Sequence, residues 1–196
     1  MNELPFFVAG INYKKTDASV RGSFAISTDQ YALLLTESKQ MGIQELMVIS
    51  TCNRTEIYGK AENIHDLVQL LCSKTTGSIE TFYQLAYLKK GHEAVQHLFD
   101  VGAGLDSQIL GDYEIIGQIK QAFKIAKQHE AIGAYLERLV NAVIQASKNI
   151  KNNTFLSGGT VSVSFAAIQF LKDNVAEVKD KKILLLGTGK IGRNTC

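Results

Sequence analysis

LMVISTCNRTEIYG, residues 46–59, is the stretch on which the fold turns. Leu46 to Ser50 is a short apolar run, the pattern of a buried strand, and polar TCNR follows it. Glu56, Ile57 and Tyr58 then run to Gly59, so the whole reads as two strands of a hairpin. Upstream, Phe6 to Tyr13 (FFVAGINY) is rich in β-formers and reads as a first strand. Between these strands Ser27 or Thr28 offers an N-cap to a helix with the apolar stripe Tyr31, Leu34, Leu35 and Met41, closed by Gly42. Downstream, Asn63 or Asp66 opens a second helix through Val68, Leu70, Leu71 and Cys72, and Leu85 to Leu88 is a candidate last strand. That order predicts an α+β domain of the split βαβ, ferredoxin-like kind.

From Gly91 onward the apolar period changes to 3.6. Ala94, Val95, Leu98, Phe99 and Gly102 make one face; Ile115, Ile116, Ile119, Ala122, Phe123 and Ala126 make another. Leu136, Leu139, Val140, Val143, Ser147 and Ile150 predict a long third helix. Residues 152–160 (NNTFLSGGT) concentrate turn formers and mark a domain boundary. A helix from Val161 to about Asn174 and a strand from Lys182 to Leu186 follow. The expected division is 1–155, an α+β domain with a helical extension, and 156–196, the start of an α/β Rossmann domain cut short at Cys196.

The 196 residues are 45% hydrophobic and 20% charged, with a net charge of +2. A chain so apolar, with a mean hydropathy of zero, buries enough surface to fold and is not a disordered one. No apolar run approaches the roughly 20 residues that span a bilayer, and MNELPFFVAG lacks the basic flank of a signal peptide. A soluble, cytoplasmic protein is therefore expected. So small a net charge argues against tight nonspecific nucleic-acid binding, while leaving room for a local basic stripe. Cys52, Cys72 and Cys196 are too few and scattered for a disulfide framework, and no CxxC, HExxH or paired histidine points to a metal.

Two motifs carry chemistry. Gly187-Thr188-Gly189-Lys190-Ile191-Gly192 is a GxGxxG directly after an apolar run, the context of a dinucleotide-binding turn; the bland alternative is a glycine-rich turn after a buried strand. Gly187 would make the tight turn, Gly189 would admit a pyrophosphate and Gly192 would let helix and strand pack closely. The second motif is Cys52, on a polar turn beside Arg54. That setting exposes a thiol and lowers its pKa, against the alternative of a small residue filling a strand end. Cys72 lies in an apolar helical stripe and reads as packing. His97 sits among apolar positions of its helix and reads by itself as a core histidine. Gly104 to Ser107 and Leu110 to Glu114 form a polar connection between helices, with Asp112 as a helix cap, and connections of this kind also build sites.

Taken together, STCNRTEIYG (50–59), HLF…GLDSQILGDYEIIGQIKQAF (97–123), GTVSVSFAA (159–167), GINYKKTDASVR (10–21) and LLLGTGKIG resemble glutamyl-tRNA reductase, in that family's order and over nearly the whole chain. The resemblance implies NADPH-dependent reduction of glutamyl-tRNA(Glu) to glutamate-1-semialdehyde, the first step towards 5-aminolevulinate and tetrapyrroles. It makes Cys52 the nucleophile that forms a glutamyl thioester and His97 an activity-bearing histidine. Thr51, Asn53, Arg54, Ser107, Asp112, Tyr113, Glu114 and Gln118 fall on its substrate-binding positions, and Gly187 to Gly192, with Thr188, Gly189, Lys190 and Ile191, on its NADPH positions. Arg54 would offer a bidentate fork to the glutamate carboxylate. The implied architecture is a catalytic domain, a long spinal helix, an NADPH domain and a dimerisation domain. The implied partners are glutamyl-tRNA and glutamate-1-semialdehyde aminomutase, with a homodimeric parent. This chain is expected to be a monomer or weak dimer that cannot complete the reduction. The chain departs from the family at Asp112-Tyr113-Glu114, at Asp100 and at Gly102-Ala103. A cysteine acyltransferase or esterase, or a non-catalytic tRNA-binding module, are the competing functions.

Overall fold

The computed structural model describes residues 4–154, 156, 163–187 and 189–195. Four strands, β1 (Phe6–Asn12), β2 (Glu45–Ser50), β3 (Arg54–Lys60) and β4 (Tyr87–Lys90), form one antiparallel sheet in the order β2-β3-β1-β4. The hairpin β2–β3 is in register from Glu45↔Lys60 to Ser50↔Thr55, and β1 pairs with β3 from Phe6↔Lys60 to Asn12↔Arg54. The connection from β1 to β2 carries α1 (Ala18–Ser23) and α2 (Thr28–Gln40); that from β3 to β4 carries α3 (Ile64–Ser73) and α4 (Ile79–Leu85). Then follow α5 (His92–Gly102), α6 (Glu114–Gln128), α7 (Ala134–Asn153), α8 (Val163–Asn174) and α9 (Lys190–Thr195).

The caps lie where the sequence places them. Ser27 and Gln30 form a capping box at α2, Asn63 and Asp66 one at α3, and Gly42 takes φ +72 just past α2. Side chains alternate along β3. Gly59 faces α3, where a Cβ would stand 3.0 Å from Leu67 Cδ2, while Arg54, Glu56 and Tyr58 share the other face. The free edge of β2 is covered: Leu46 N–H donates to Ala131 O (2.8 Å) and Val48 N–H to the Tyr31 hydroxyl (2.9 Å). The Glu45 carboxylate accepts from the backbone of Gly133 (3.1 Å) and Leu136 (2.7 Å), which satisfies the first amides of α7. Helices α5 and α7 cross so closely at Gly102 that a Cβ there would meet Val143 Cγ1 at 2.3 Å.

Two expectations are corrected and one unread helix is added. The last strand is Tyr87–Lys90 rather than 85–88, because Ser78 caps the short helix α4, which runs through Leu85. Helix α1, capped by Asp17, has too few apolar positions to show a period. Lys182 to Leu186 forms no strand: among the described residues nothing pairs with it, and a strand without a neighbour has no ladder. Ile183, Leu184, Leu185 and Leu186 are exposed there. The expected helix start at Val161 and much of the 152–160 boundary lie outside the described residues.

Candidate active site

Cys52 is exposed at the tip of the β2–β3 hairpin. The turn is tied by Thr51, whose N–H donates to Arg54 O (2.8 Å) and whose hydroxyl accepts from the N–H groups of Asn53 and Arg54 (3.1 Å each). Tyr13 N–H donates to Asn53 O (2.9 Å), and Arg21 Nε donates to Cys52 O (2.9 Å). The cation bonded to the Cys52 backbone is therefore Arg21. Arg54 points inward.

Behind the turn lies a buried charged network. Arg54 Nη1 bonds Glu56 Oε1 (2.9 Å) and Asp106 Oδ2 (3.0 Å), and Nη2 donates to the Asp106 carbonyl. Glu56, fully buried, also accepts from the Tyr58 hydroxyl (2.7 Å) and the Tyr87 hydroxyl, and meets His97 Nε2 at 2.8 Å. Burial alone would raise the Glu56 pKa; Arg54, His97 and Tyr87 reverse that and hold it at about 2. Burial opposes the Arg54 charge most strongly, but Glu56 together with Tyr87, Tyr58 and Asp106 outweighs it, and the guanidinium pKa stays above its ordinary value. Burial and the Glu56 charge push Tyr58 and Tyr87 well up, so both remain O–H donors. Gly10 makes this possible. It pairs with Glu56 on one side and Tyr87 on the other, and a Cβ would stand 2.7 Å from Glu56 Cγ and 2.9 Å from the Tyr87 hydroxyl.

Asp106 fastens the α5–α6 loop to the sheet through Arg54, Asn12 Nδ2 (3.3 Å) and Lys14 Nζ, and the Tyr13 hydroxyl donates to Ser107 O (3.1 Å). Gly104 (φ +74) and Gly111 (φ +81) let the loop fold back, closed by Gly111 N–H to Gly104 O (3.0 Å). Glu56, His97 and Asp106 bring ligand atoms within 4.8 Å of one another, but the Arg54 guanidinium bonds both carboxylates and supplies the cation this cluster needs.

These elements enclose a cleft of about 80 Å³. Of the residues named from sequence, Thr51, Cys52, Asn53, Arg54, Ser107, Asp112, Glu114 and Gln118 all line it. Two do not. Tyr113 turns away, with Lys151 Nζ over its ring at 5.0 Å, and His97 is buried at 7% exposure behind Glu56. His97 thus reaches the cleft only through Glu56 and Arg54. Arg54 is no free fork either, since two of its nitrogens are already bonded to acidic residues. Asp112 accepts from Glu114 N–H (2.9 Å), but the N-cap of α6 is Tyr113, which makes no side-chain cap bond. The expected capping role of Asp112 is therefore corrected: it stands one residue too early to reach the second or third amide of the helix. Glu56, Tyr87, Asp106 and Gln108 went unread in the sequence. The signal for Glu56 was present, because period 2 puts it on the face of Arg54.

At the other motif, Gly187 takes φ +121 and a Cβ on Gly192 would meet Gly187 O at 2.2 Å, so these glycines fit a tight turn into α9. Among the described residues nothing pairs with the 182–187 segment that leads into this turn. Thr188 and the side chains of Lys190 and Ile191 lie outside what the structure describes.

The N-terminal domain of Glutamyl-tRNAGlu reductase matches residues 9–154. The chain belongs to the glutamyl-tRNA reductase family. Glutamyl-tRNA reductase 2 of Flavobacterium johnsoniae is 55% identical over 191 residues, covering 97% of this chain and 44% of that protein. The glutamyl-tRNA reductase of Aquifex aeolicus is 35% identical over 191 residues, covering 95% and 46%. The structure of glutamyl-tRNA reductase from Methanopyrus kandleri superposes with a TM-score of 0.70 at 25% identity, over 97% of this chain and 45% of that one. The chain thus spans about half the length of the reductases it matches. Among the described residues no helix is long and apolar enough to cross a membrane.

Proposed function

We propose that this chain is the acyl-accepting part of a glutamyl-tRNA reductase, in which Cys52 takes the glutamyl group of glutamyl-tRNA(Glu) as a thioester. The observation that carries this reading is the exposed Cys52 thiol in one cleft with Thr51, Asn53, Ser107, Asp112, Glu114 and Gln118. A sulfur nucleophile suits an ester carbonyl and leaves a thioester reactive towards hydride. The thiolate attacks the carbonyl, the bond to the terminal ribose oxygen breaks, and that oxygen leaves with a proton as the free tRNA hydroxyl. Asp112 and Glu114 face the α-ammonium of the glutamyl group, and Arg54, held in place by Glu56 and Asp106, forms the back wall of the cleft. His97 is a positioning residue: it holds Glu56, which holds Arg54. Residues 1–155 form the catalytic domain, whose sheet order β2-β3-β1-β4 with helices in both long connections supports the split βαβ, ferredoxin-like reading. Residues 156–196 open the NADPH domain, with Gly187 to Gly192 as its phosphate turn. In the whole reductase NADPH supplies the hydride that frees glutamate-1-semialdehyde for tetrapyrrole synthesis.

Incubating the chain with glutamyl-tRNA(Glu) without a reductant tests this. Intact-protein mass spectrometry should show one added glutamyl group, mapped to Cys52 and absent in Cys52→Ala. An adduct on another residue, or one that persists in Cys52→Ala, sinks the proposal.

A further inference from the structure

Beside the Cys52 cleft lies a second, larger hollow of about 220 Å³, between the start of α2, the covered edge of β2 and one face of α6. Gln118 is the shared wall. Glu114, Ile115 and Gln118 face the thiol cleft, while Gln118, Gln121, Ala122 and Ile125, spaced i, i+3, i+4, i+7, face the hollow. Its floor is fixed by Tyr31, whose hydroxyl accepts from Val48 N–H (2.9 Å) and donates to Ala122 O (3.1 Å), tying α2, β2 and α6 together. Ile26, Val48 and Ile125 make aliphatic walls, and the exposed Gln118 and Gln121 stand at the rim. Among the described residues neither carboxamide takes a hydrogen bond.

We propose that this hollow seats the adenine of the terminal adenosine of glutamyl-tRNA while its ribose ester lies at Cys52, an inference that rests on the function proposed above. An aminoacyl group is carried on the last ribose, so the last base must lie about one sugar away from the attacked carbonyl. Along α6, at 1.5 Å per residue, the step from Gln118 to Gln121 and Ile125 is roughly 5–10 Å, which matches that reach. Single-stranded RNA ends are recognised by packing on the base faces and hydrogen bonds to their edges. A carboxamide offers both donor and acceptor, the complement of the adenine N6–H₂ and its neighbouring ring nitrogen. The hollow is smaller than the roughly 300–1,000 Å³ of sites for drug-sized ligands, and so suits one ring system. Its rim carries amides where a phosphate site would carry cations.

The test compares the rate of Cys52 acylation by 3′-O-glutamyl adenosine, 3′-O-glutamyl uridine and glutamate α-ethyl ester, followed by mass spectrometry. The adenosine ester should react fastest. Gln121→Ala, at an exposed position, should slow the adenosine ester about threefold to tenfold, the worth of one or two hydrogen bonds, and leave the ethyl ester unchanged. Equal rates for the two nucleoside esters, or equal slowing of the adenosine and ethyl esters, would overturn the assignment. If no ester acylates Cys52, the nucleophile is misassigned, and the hollow is judged by NMR with the stable amide 3′-deoxy-3′-(glutamylamino)adenosine. Shifts of the Gln118 and Gln121 side-chain amides, lost with the uridine analogue, support the adenine seat; unmoved amides refute it.

Discussion

Glu56 accepts from Arg54, Tyr58 and Tyr87 and meets His97, with no solvent exposure, so one carboxylate fixes the geometry of the cleft's back wall. Its folded pKa of about 2 lies below the ordinary 4.5. A depressed value means that its contribution to stability is fully present above pH 4.5 and is lost as the pH falls towards 2. At about 1.36 kcal/mol for each tenfold change in proton affinity, that depression corresponds to about 3 kcal/mol. Glu56→Gln should therefore lower stability by roughly that amount at neutral pH, since it also leaves the Arg54 charge half-paired. In urea titrations across pH 2–7 the gap between variant and parent should close on the acid side. A gap that stays constant to pH 2 would show that the carboxylate charge is not what holds Arg54. Thr51, Cys52 and Arg54 were legible from the polar interruption of an apolar hairpin. The employment of Arg54 was not, because its partner Asp106 is 52 residues away and joins it only through the folded loop.

A turn and a helix treat the same thiol differently, and the two described cysteines show it. Cys52 stands exposed on the β2–β3 turn, while Cys72 is half-buried near the end of α3, where burial and Glu80 push its pKa up to about 11. Thiolate is the reactive form, so Cys72 is suppressed in both access and ionisation at neutral pH. Iodoacetamide at pH 7 should label Cys52 well before Cys72 in peptide maps, and Cys72 labelled first would reject a reactive Cys52. The elements around the hairpin were readable because caps and apolar periods agree: Ser27 with Gln30, and Asn63 with Asp66, bracket α2 and α3. Helices α1 and α4, of 6 and 7 residues, span too few turns to leave a period. The displacement of His97 was hidden for another reason: a helical stripe says that a residue faces inward, but not which strand residue it meets.

At the scale of the whole molecule, the core unites the four-stranded sheet with apolar residues of α2 to α7, while α8 and α9 pack on each other. The run Ile183-Leu184-Leu185-Leu186 follows Lys181 and Lys182 and stays in the open, with Leu184 at 83% and Leu186 at 86% exposure. An apolar run read from sequence as a strand is correct about hydrophobicity and silent about partners; a parallel sheet exists only when neighbouring strands supply its ladder. Backbone amides and carbonyls that pair with no strand among the described residues, alongside exposed leucines, form a template for another chain. The 196-residue chain should therefore self-associate weakly and reversibly through residues 182–187, by edge pairing that buries the leucine side chains. Leu184→Lys with Leu186→Lys places two like charges at that contact and should shift light-scattering mass towards the monomer. The unfolding free energy should stay within about 0.5 kcal/mol of the parent, since both side chains already face water. Association undiminished in the double variant would place the contact elsewhere, with the exposed Phe165 and Phe170 of α8 as the next surface to charge.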